Sequence, residues 1–478
     1  MRKIIIAVFS IIIMNTTNAQ SKFMWGVASA SYQVEGAYLK DGKSLSNWDV
    51  YTNKYHITKP FVGVDHNGNI ALNTYDRKQY LQDIALMKKL GVNCYRFSLS
   101  WSRLLPNGTG LVNQKGVQHY HQFIDDLIAN NITPFITLYH WDMPNILQEK
   151  GGFSNPKMID WFTEYANLVF KEYGKKVKHF ITFNEPNIDL FLFTNWAKNV
   201  INKSKNPFKI SSEDLGSKGM AAHHLMMANA IVTNNYHQLN LGGEIGITLS
   251  LIPTEPKDAQ NKNDVEASML QDGIHNRFFL DASLKGTYPA DAIALFSKYD
   301  KNFKINDEDY KILKSAKPDF IGVNYYGISY VTYDTNFAMN INWMTNNPDS
   351  IKMFNGAVRP KHFYNLLMRL KNEYNNPRIY ITENGAGYGD MDEILANGKV
   401  EDNLRTNYLK DHIQAFLDAK KDGARVEGYM LWSILDNFEW TSGYTKRFGI
   451  TYVDFKTQKR TPKKSFYTYQ SLIKSIKF

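Results

Sequence analysis

Eight short runs rich in β-branched and aromatic residues recur along this chain, and helical periods lie between most of them. The runs are Phe23–Ala28, Asn93–Ser98, Pro134–Tyr139, Lys178–Phe183, Glu244–Leu249, Asp319–Tyr325, Arg378–Thr382 and Glu427–Trp432. Tyr80, Leu81, Ile84, Met87 and Leu90 recur at helical spacing and stop at Gly91. Tyr120 to Ile128 and Trp161 to Val169 repeat that period, and Leu404 to Leu417 line a further helix closed by Gly423. Such alternation predicts an α/β chain closed as a single (β/α)8 TIM-type barrel with long βα loops. An open doubly wound sheet is the competing fold, and it is disfavoured because no glycine-rich phosphate turn follows the first run. A length of 478 residues would ordinarily suggest two or three domains. Barrels exceed that rule, and the chain has no Pro/Ser linker, low-complexity tract or short repeat.

Two of the runs end alike. Arg378-Ile379-Tyr380-Ile381-Thr382 leads into Glu383-Asn384-Gly385, and His179-Phe180-Ile181-Thr182-Phe183 into Asn184-Glu185-Pro186. In a barrel the C-terminal strand ends form the reactive face. Arg96, His140, Asn184, Glu185, Asn324, Tyr326, Glu383 and Trp432 all fall at or just beyond such an end. Each alone has an ordinary account as a cap, a core histidine or packing. Their coincidence on one rim points to chemistry.

Facing glutamates suit glycoside hydrolysis, one as nucleophile and the other as acid and then base. The nucleophile must be charged, and Arg96 and the Tyr326 hydroxyl can keep it so. The acid must hold its proton until the glycosidic bond breaks, which the other glutamate's charge favours. Carboxylates about 5–5.5 Å apart would retain configuration at the anomeric carbon. Trp432 offers a flat partner to the C–H face of a pyranose ring. Metal chemistry fits poorly, since His223 and His224 are adjacent and no His-Glu-x-x-His occurs. A serine triad lacks its Gly-x-Ser-x-Gly elbow.

The first residues, Met1-Arg2-Lys3, precede an eleven-residue apolar stretch, Ile4 to Met14, broken only by Ser10, and a small-x-small site at Thr17-Asn18-Ala19. This pattern predicts a signal peptide over residues 1–19, a catalytic barrel over 20–478 and export to the periplasm or the exterior. The stretch is short of the ~20 residues a membrane span needs, so no membrane association is expected after cleavage. Without the leader the formal charge of +10 becomes 10 − 2 = +8. The basic residues form no long run, which favours a solvated surface over a nucleic-acid site. A single cysteine, Cys94, excludes an internal disulfide.

Taken together the segments resemble glycoside hydrolase family 1, the retaining β-glucosidases and their relatives, from Phe23 to about Tyr467. They are Phe23-Met24-Trp25-Gly26, Ser31 to Gly36, Tyr95-Arg96-Phe97-Ser98, Ser100 to Arg103, and Leu138-Tyr139-His140-Trp141-Asp142. Thr182 to Pro186, Asn324-Tyr325-Tyr326, Thr382 to Gly385 and Trp432 through Gly449 complete the series. The resemblance implies Glu185 as acid/base and Glu383 as nucleophile, with Arg96 and Tyr326 setting the nucleophile's charge and position. It gives Asn184 the sugar 2-hydroxyl, Gln33, His140, Glu439 and Trp440 the remaining contacts to the non-reducing sugar, and Trp432 the place beneath its ring. It implies no metal or organic cofactor. The substrates expected are β-glucosides and cello- or laminari-oligosaccharides. A galacto or fuco preference, transglycosylation on the same scaffold, or a carbohydrate-binding protein without hydrolysis are the alternatives. Relatives that cleave 6-phosphorylated glycosides carry serine at the position of Glu439, with a lysine and a tyrosine downstream. Here Lys446 is present, but Glu439 would repel a phosphate and Phe448 lacks the hydroxyl. In one respect the chain departs from the family. Asn355-Gly356-Ala357-Val358-Arg359-Pro360 has no tryptophan for the leaving-group side. Trp343 is either its substitute or a packing residue.

Overall fold

A computed structural model describes residues 23–58, 65–69, 72–193, 197, 199, 201–202, 211–345, 352–353, 356–388 and 392–478. The leader expected at residues 1–19 lies outside them, as do Asn355 and parts of the long loops at 188–216 and 331–358. Eight parallel strands close into a barrel: β1 Met24–Ala28, β2 Cys94–Ser98, β3 Thr133–Tyr139, β4 His179–Asn184, β5 Glu244–Ser250, β6 Phe320–Tyr325, β7 Ile379–Asn384 and β8 Val426–Leu431. Neighbours in space are neighbours in sequence, and β1 closes the ring on β8 with Met24 opposite Gly428. The expected (β/α)8 barrel is therefore the observed fold.

The helices read from periodicity span Arg77–Leu90, Gln114–Ala129, Met158–Tyr173 and Asn403–Lys421. Gly91 ends the first in the left-handed conformation, φ 91°, where a side chain would be strained. The helices bury their apolar faces against the outside of the barrel in one continuous core. A separate cluster fills the barrel interior, in which Cys94, Phe135, Ile181, Phe320, Tyr380 and Met430 pack together. The cysteine is thus a small buried core residue.

Sequence reading ends the seventh strand at Thr382, whereas β7 continues through Glu383 and Asn384. Glu383 pairs with Asn324 and Asn384 with Tyr325, after a register shift beyond Ile381. The shift is a bulge, the device by which sheets re-aim a side chain. Beyond it Gly385 passes so close to the Trp432 carbonyl that a Cβ would overlap it. At the opposite, N-terminal end of the barrel, Arg378 donates to Glu244 at 2.6 Å and to Glu427 at 2.6 and 2.8 Å. His179 meets the second oxygen of Glu244 at 2.8 Å. No helix among the described residues is long and apolar enough to cross a membrane.

Candidate active site

Strand order alone brings the two glutamates to one rim, since β4 and β7 are separated by β5 and β6. Arg96, fully buried on β2, reaches across the barrel mouth. Its guanidinium donates to Glu383 Oε1 at 2.6 Å, to Asn184 Oδ1 at 2.6 Å and to Thr137 Oγ1 at 3.1 Å. The Tyr326 hydroxyl donates to Glu383 Oε2 at 2.8 Å. Both oxygens of this carboxylate therefore meet donors. Asn324, at the end of β6, donates to Glu185 Oε1 at 2.7 Å and to Asn184 Oδ1 at 3.0 Å, while its own oxygen accepts from Thr382 at 2.8 Å. The Asn324 amide also opposes the rise in pKa of both glutamates.

Around the pair stand the other expected residues. Asn184 donates to His140 Nε2 at 3.0 Å, and the Trp141 indole fixes the Asn184 carbonyl at 2.9 Å. The His140 ring lies 5.8 Å from Trp432 and 6.1 Å from Trp440, near parallel to both. Trp440 is wedged at 4.6 Å against both Trp48 and Trp141. Gln33 donates to the Phe438 carbonyl at 2.7 Å and to Asn437 at 3.2 Å, which ties β1's exit to the segment carrying Glu439. Three buried atoms here have no protein partner: Gln33 Oε1, His140 Nδ1 and Glu439 Oε2. Buried polar atoms are nearly always paired, so this cluster is a set of open positions for a polar ligand.

Burial and the neighbouring charge of Glu383 push the Glu185 carboxyl up to about 8, against the opposing pull of Asn324 and Arg96. Burial also raises Glu383, but Arg96 and Tyr326 oppose it, and of the two glutamates it is the one with the cation on it. Glu439 is driven to about 8 by burial and then by Glu383 and Glu185. The same burial, with Arg96 nearby, keeps His140 neutral by holding its pKa well below the usual value. The arrangement is one carboxylate held by donors beside one carboxyl that keeps its proton, the division of labour an acid and a nucleophile need.

All ten residues expected from the sequence converge here: Glu185, Glu383, Arg96, Asn184, Tyr326, Gln33, His140, Trp432, Glu439 and Trp440. Asn324 has a larger part than its place on the rim suggested, since its amide binds both Asn184 and Glu185. Thr137 and Ser250 were not foreseen. Thr137 is legible in hindsight as a polar residue in the apolar middle of the strand Thr133–Tyr139. Trp343 is half-buried and packs against the main core, in a three-stranded sheet of Thr254–Pro256, Ser329–Tyr333 and Ile341–Thr345. Phe448 is buried with its ring edge-on to Tyr326 at 6.0 Å. Among the described residues no group of three His, Cys, Asp or Glu is set to hold a metal ion.

Comparison with known proteins agrees with this geometry. The sequence profile of "Glycosyl hydrolase family 1" matches residues 16–478. A β-glucosidase A of Enterobacter agglomerans is 40% identical over 464 residues, covering 96% of each chain. A 6-phospho-β-galactosidase of Clostridium acetobutylicum is 37% identical over 486 residues, 95% of this chain and 97% of its own. Among solved structures, a Thermotoga maritima family 1 β-glucosidase in complex with isofagomine lactam superposes with a TM-score of 0.84 at 38% identity. That match covers 95% of this chain and 97% of the other.

Proposed function

Since the chain belongs to glycosyl hydrolase family 1, we propose that it is a retaining β-glucosidase, releasing terminal β-D-glucosyl residues from oligosaccharides or β-glucosides. The observation that carries this reading is the contrast between the two carboxyls on this rim. Glu383 is bound by Arg96 and Tyr326, and Glu185 is pushed to about 8. In the first step a Glu383 oxygen bonds to the anomeric carbon as the glycosidic C–O bond breaks, and Glu185 gives its proton to the departing oxygen. The Glu383 charge is then lost in the ester. Because that charge helps hold the Glu185 proton, the Glu185 pKa falls and the carboxylate can take a proton from water. The water oxygen bonds to the anomeric carbon, and the Glu383 carboxylate is released. Asn184, held between Arg96 and His140, is positioned for the 2-hydroxyl, and Gln33, His140 and Glu439 offer their unpartnered atoms to the other hydroxyls.

The 6-phospho-β-galactosidase relatives make phosphorylated sugars the second reading. A buried carboxyl at Glu439, already beside Glu383 and Glu185, disfavours a phosphate dianion there, and unphosphorylated glycones are preferred. The test is turnover of 4-nitrophenyl β-D-glucoside against its galactoside, fucoside and 6-phosphate analogues. We expect the glucoside to lead, and Glu383→Ala to lose about 10⁴-fold or more in kcat. Activity should fall as pH rises through about 8, where Glu185 loses its proton. No turnover of any β-glycoside, or preference for the phosphorylated sugar, would sink the reading. Export through cleavage after Ala19 belongs to the same proposal, and the mass of the chain recovered outside the cytoplasm tests it.

A further inference from the structure

Glu185 adopts a backbone conformation that a glutamate disfavours. At φ 45° and ψ 55° it is left-handed, and it turns the chain from β4 into a helical segment that begins at Pro186. Its backbone is fixed from behind by Thr248, whose carbonyl accepts from the Glu185 N–H at 2.9 Å. The next turn, Pro186 to Ile188, runs directly into a π-helical segment, Asp189–Phe193. Within that first turn the anchor is Asn187, a buried residue two positions after the glutamate. The Asn187 amide nitrogen donates to the Ser250 carbonyl at 2.7 Å and to the His275 carbonyl at 3.1 Å, and lies 3.1 Å from His275 Nε2.

Both anchors are rigid. Ser250 is the last residue of β5, and its side chain, facing the Glu185 carboxyl, helps to lower that carboxyl's pKa. His275 lies in a π-helical turn, Gly273–Arg277. That turn is clamped to the exit of β5 by Asn276, which accepts from the Ile252 N–H at 3.1 Å and donates to the Ile252 carbonyl at 2.8 Å. Asn276 in turn donates to Asp272 at 2.8 Å, and Asp272 is gripped by Arg277 and Arg369. A chain of contacts thus runs from a surface ion pair to the residue after Pro186. Asn187 Oδ1 is itself buried without a partner, so the side chain acts here through its donor end.

We propose that Asn187 is a positioning residue for the acid/base, holding Glu185 in its left-handed turn so that the carboxyl stays on the Asn324 amide. This rests on the glycosidase reading above. Displacing the acid harms only those steps that need its proton. A 2,4-dinitrophenolate departs without protonation, whereas the glucose leaving group of cellobiose does not. The test compares kcat/KM of Asn187→Ala with that of the unaltered enzyme on 2,4-dinitrophenyl β-D-glucoside and on cellobiose. We expect a loss of ~30-fold or more on cellobiose, a loss within ~3-fold on the dinitrophenyl glucoside, and a displaced alkaline limb for cellobiose. Asn187→Ser, which keeps a single donor, is read in the same way if the alanine variant does not fold. Equal losses on both substrates with an unmoved alkaline limb would reduce Asn187 to a packing residue, and no loss on either would also overturn the proposal. Failure of the unaltered enzyme on both substrates would instead remove the glycosidase reading.

Discussion

The two ends of the barrel handle buried charge in opposite ways. At the N-terminal end Arg378 lies between Glu244 and Glu427, and His179 takes the remaining oxygen of Glu244. Burial alone would raise the Glu244 carboxyl, but His179 and Arg378 outweigh it and hold it below the ordinary value. At the C-terminal end Glu383 and Glu185 have the guanidinium of Arg96 beside them, and Glu439 faces both glutamates. Glu185 and Glu439 stand near 8. At the first end both oxygens of Glu244 meet protein partners, and at the other Gln33, His140 and Glu439 keep unpartnered atoms. The same strands supply both, so the difference lies in which residues stand at strand starts and strand ends. A site that waits for a substrate gives up stability that the opposite end retains.

Replacing Glu439 by glutamine is the strongest way to break this contrast. The shape is kept, and the carboxyl that meets Glu383 and Glu185 becomes permanently neutral. Losing a charged or proton-sharing partner for a sugar hydroxyl should cost about 10–100-fold in kcat/KM on the glucoside. Stability should move the other way, with a definite pH dependence. The folded Glu439 pKa of about 8 exceeds the unfolded value of about 4.3. Its contribution is therefore complete below about pH 4.3 and is lost as pH rises toward 8. The variant has no such loss, so its Tm relative to the unaltered protein should be near zero at pH 5 and clearly positive at pH 8. A Tm difference that ignores pH would mean that Glu439 is not held protonated by its neighbours.

How much of this was legible in the sequence divides along the same line. Strands and strand-end residues were readable because short runs rich in β-branched and aromatic residues mark a buried strand, and a barrel then fixes which end is reactive. That logic reached Arg96, Asn184, Glu185, Tyr326 and Glu383, with boundaries off by a residue or two. It ended β7 too early, because the pairing of Glu383 with Asn324 continues past a bulge that leaves no mark on local composition. Asn187 and Ser250 were out of reach for a different reason. Asn187 sits in a helical turn whose position is set by His275, 88 residues further on, and a π-helical turn has no hydrophobic period of its own. The packing of Trp343 depends likewise on a small sheet assembled outside the barrel.

The smallest expected effect comes from the opposite end, and it tests whether the two ends are independent. In Glu244→Gln one oxygen remains to accept from Arg378 or His179, but the carboxylate charge that Arg378 faces is gone. A charged hydrogen bond of this kind contributes about 1–3 kcal/mol, which in a chain this long corresponds to roughly 1–3 °C in Tm. Because the folded Glu244 pKa lies below its unfolded value, the stabilisation is present above about pH 4.3 and is lost as pH falls through the folded value. The Tm deficit should therefore be present at pH 7 and fade in acid, opposite in sign to the Glu439→Gln profile. Turnover of the glucoside should stay within ~2-fold of the unaltered enzyme, since Gly246 to Thr248 and their partners on β4 and β6 separate Glu244 from the rim. A substantial fall in kcat/KM with an unchanged Tm would mean that charge at the N-terminal end reaches the carboxyl pair through the strands, and the division of labour between the ends would have to be abandoned.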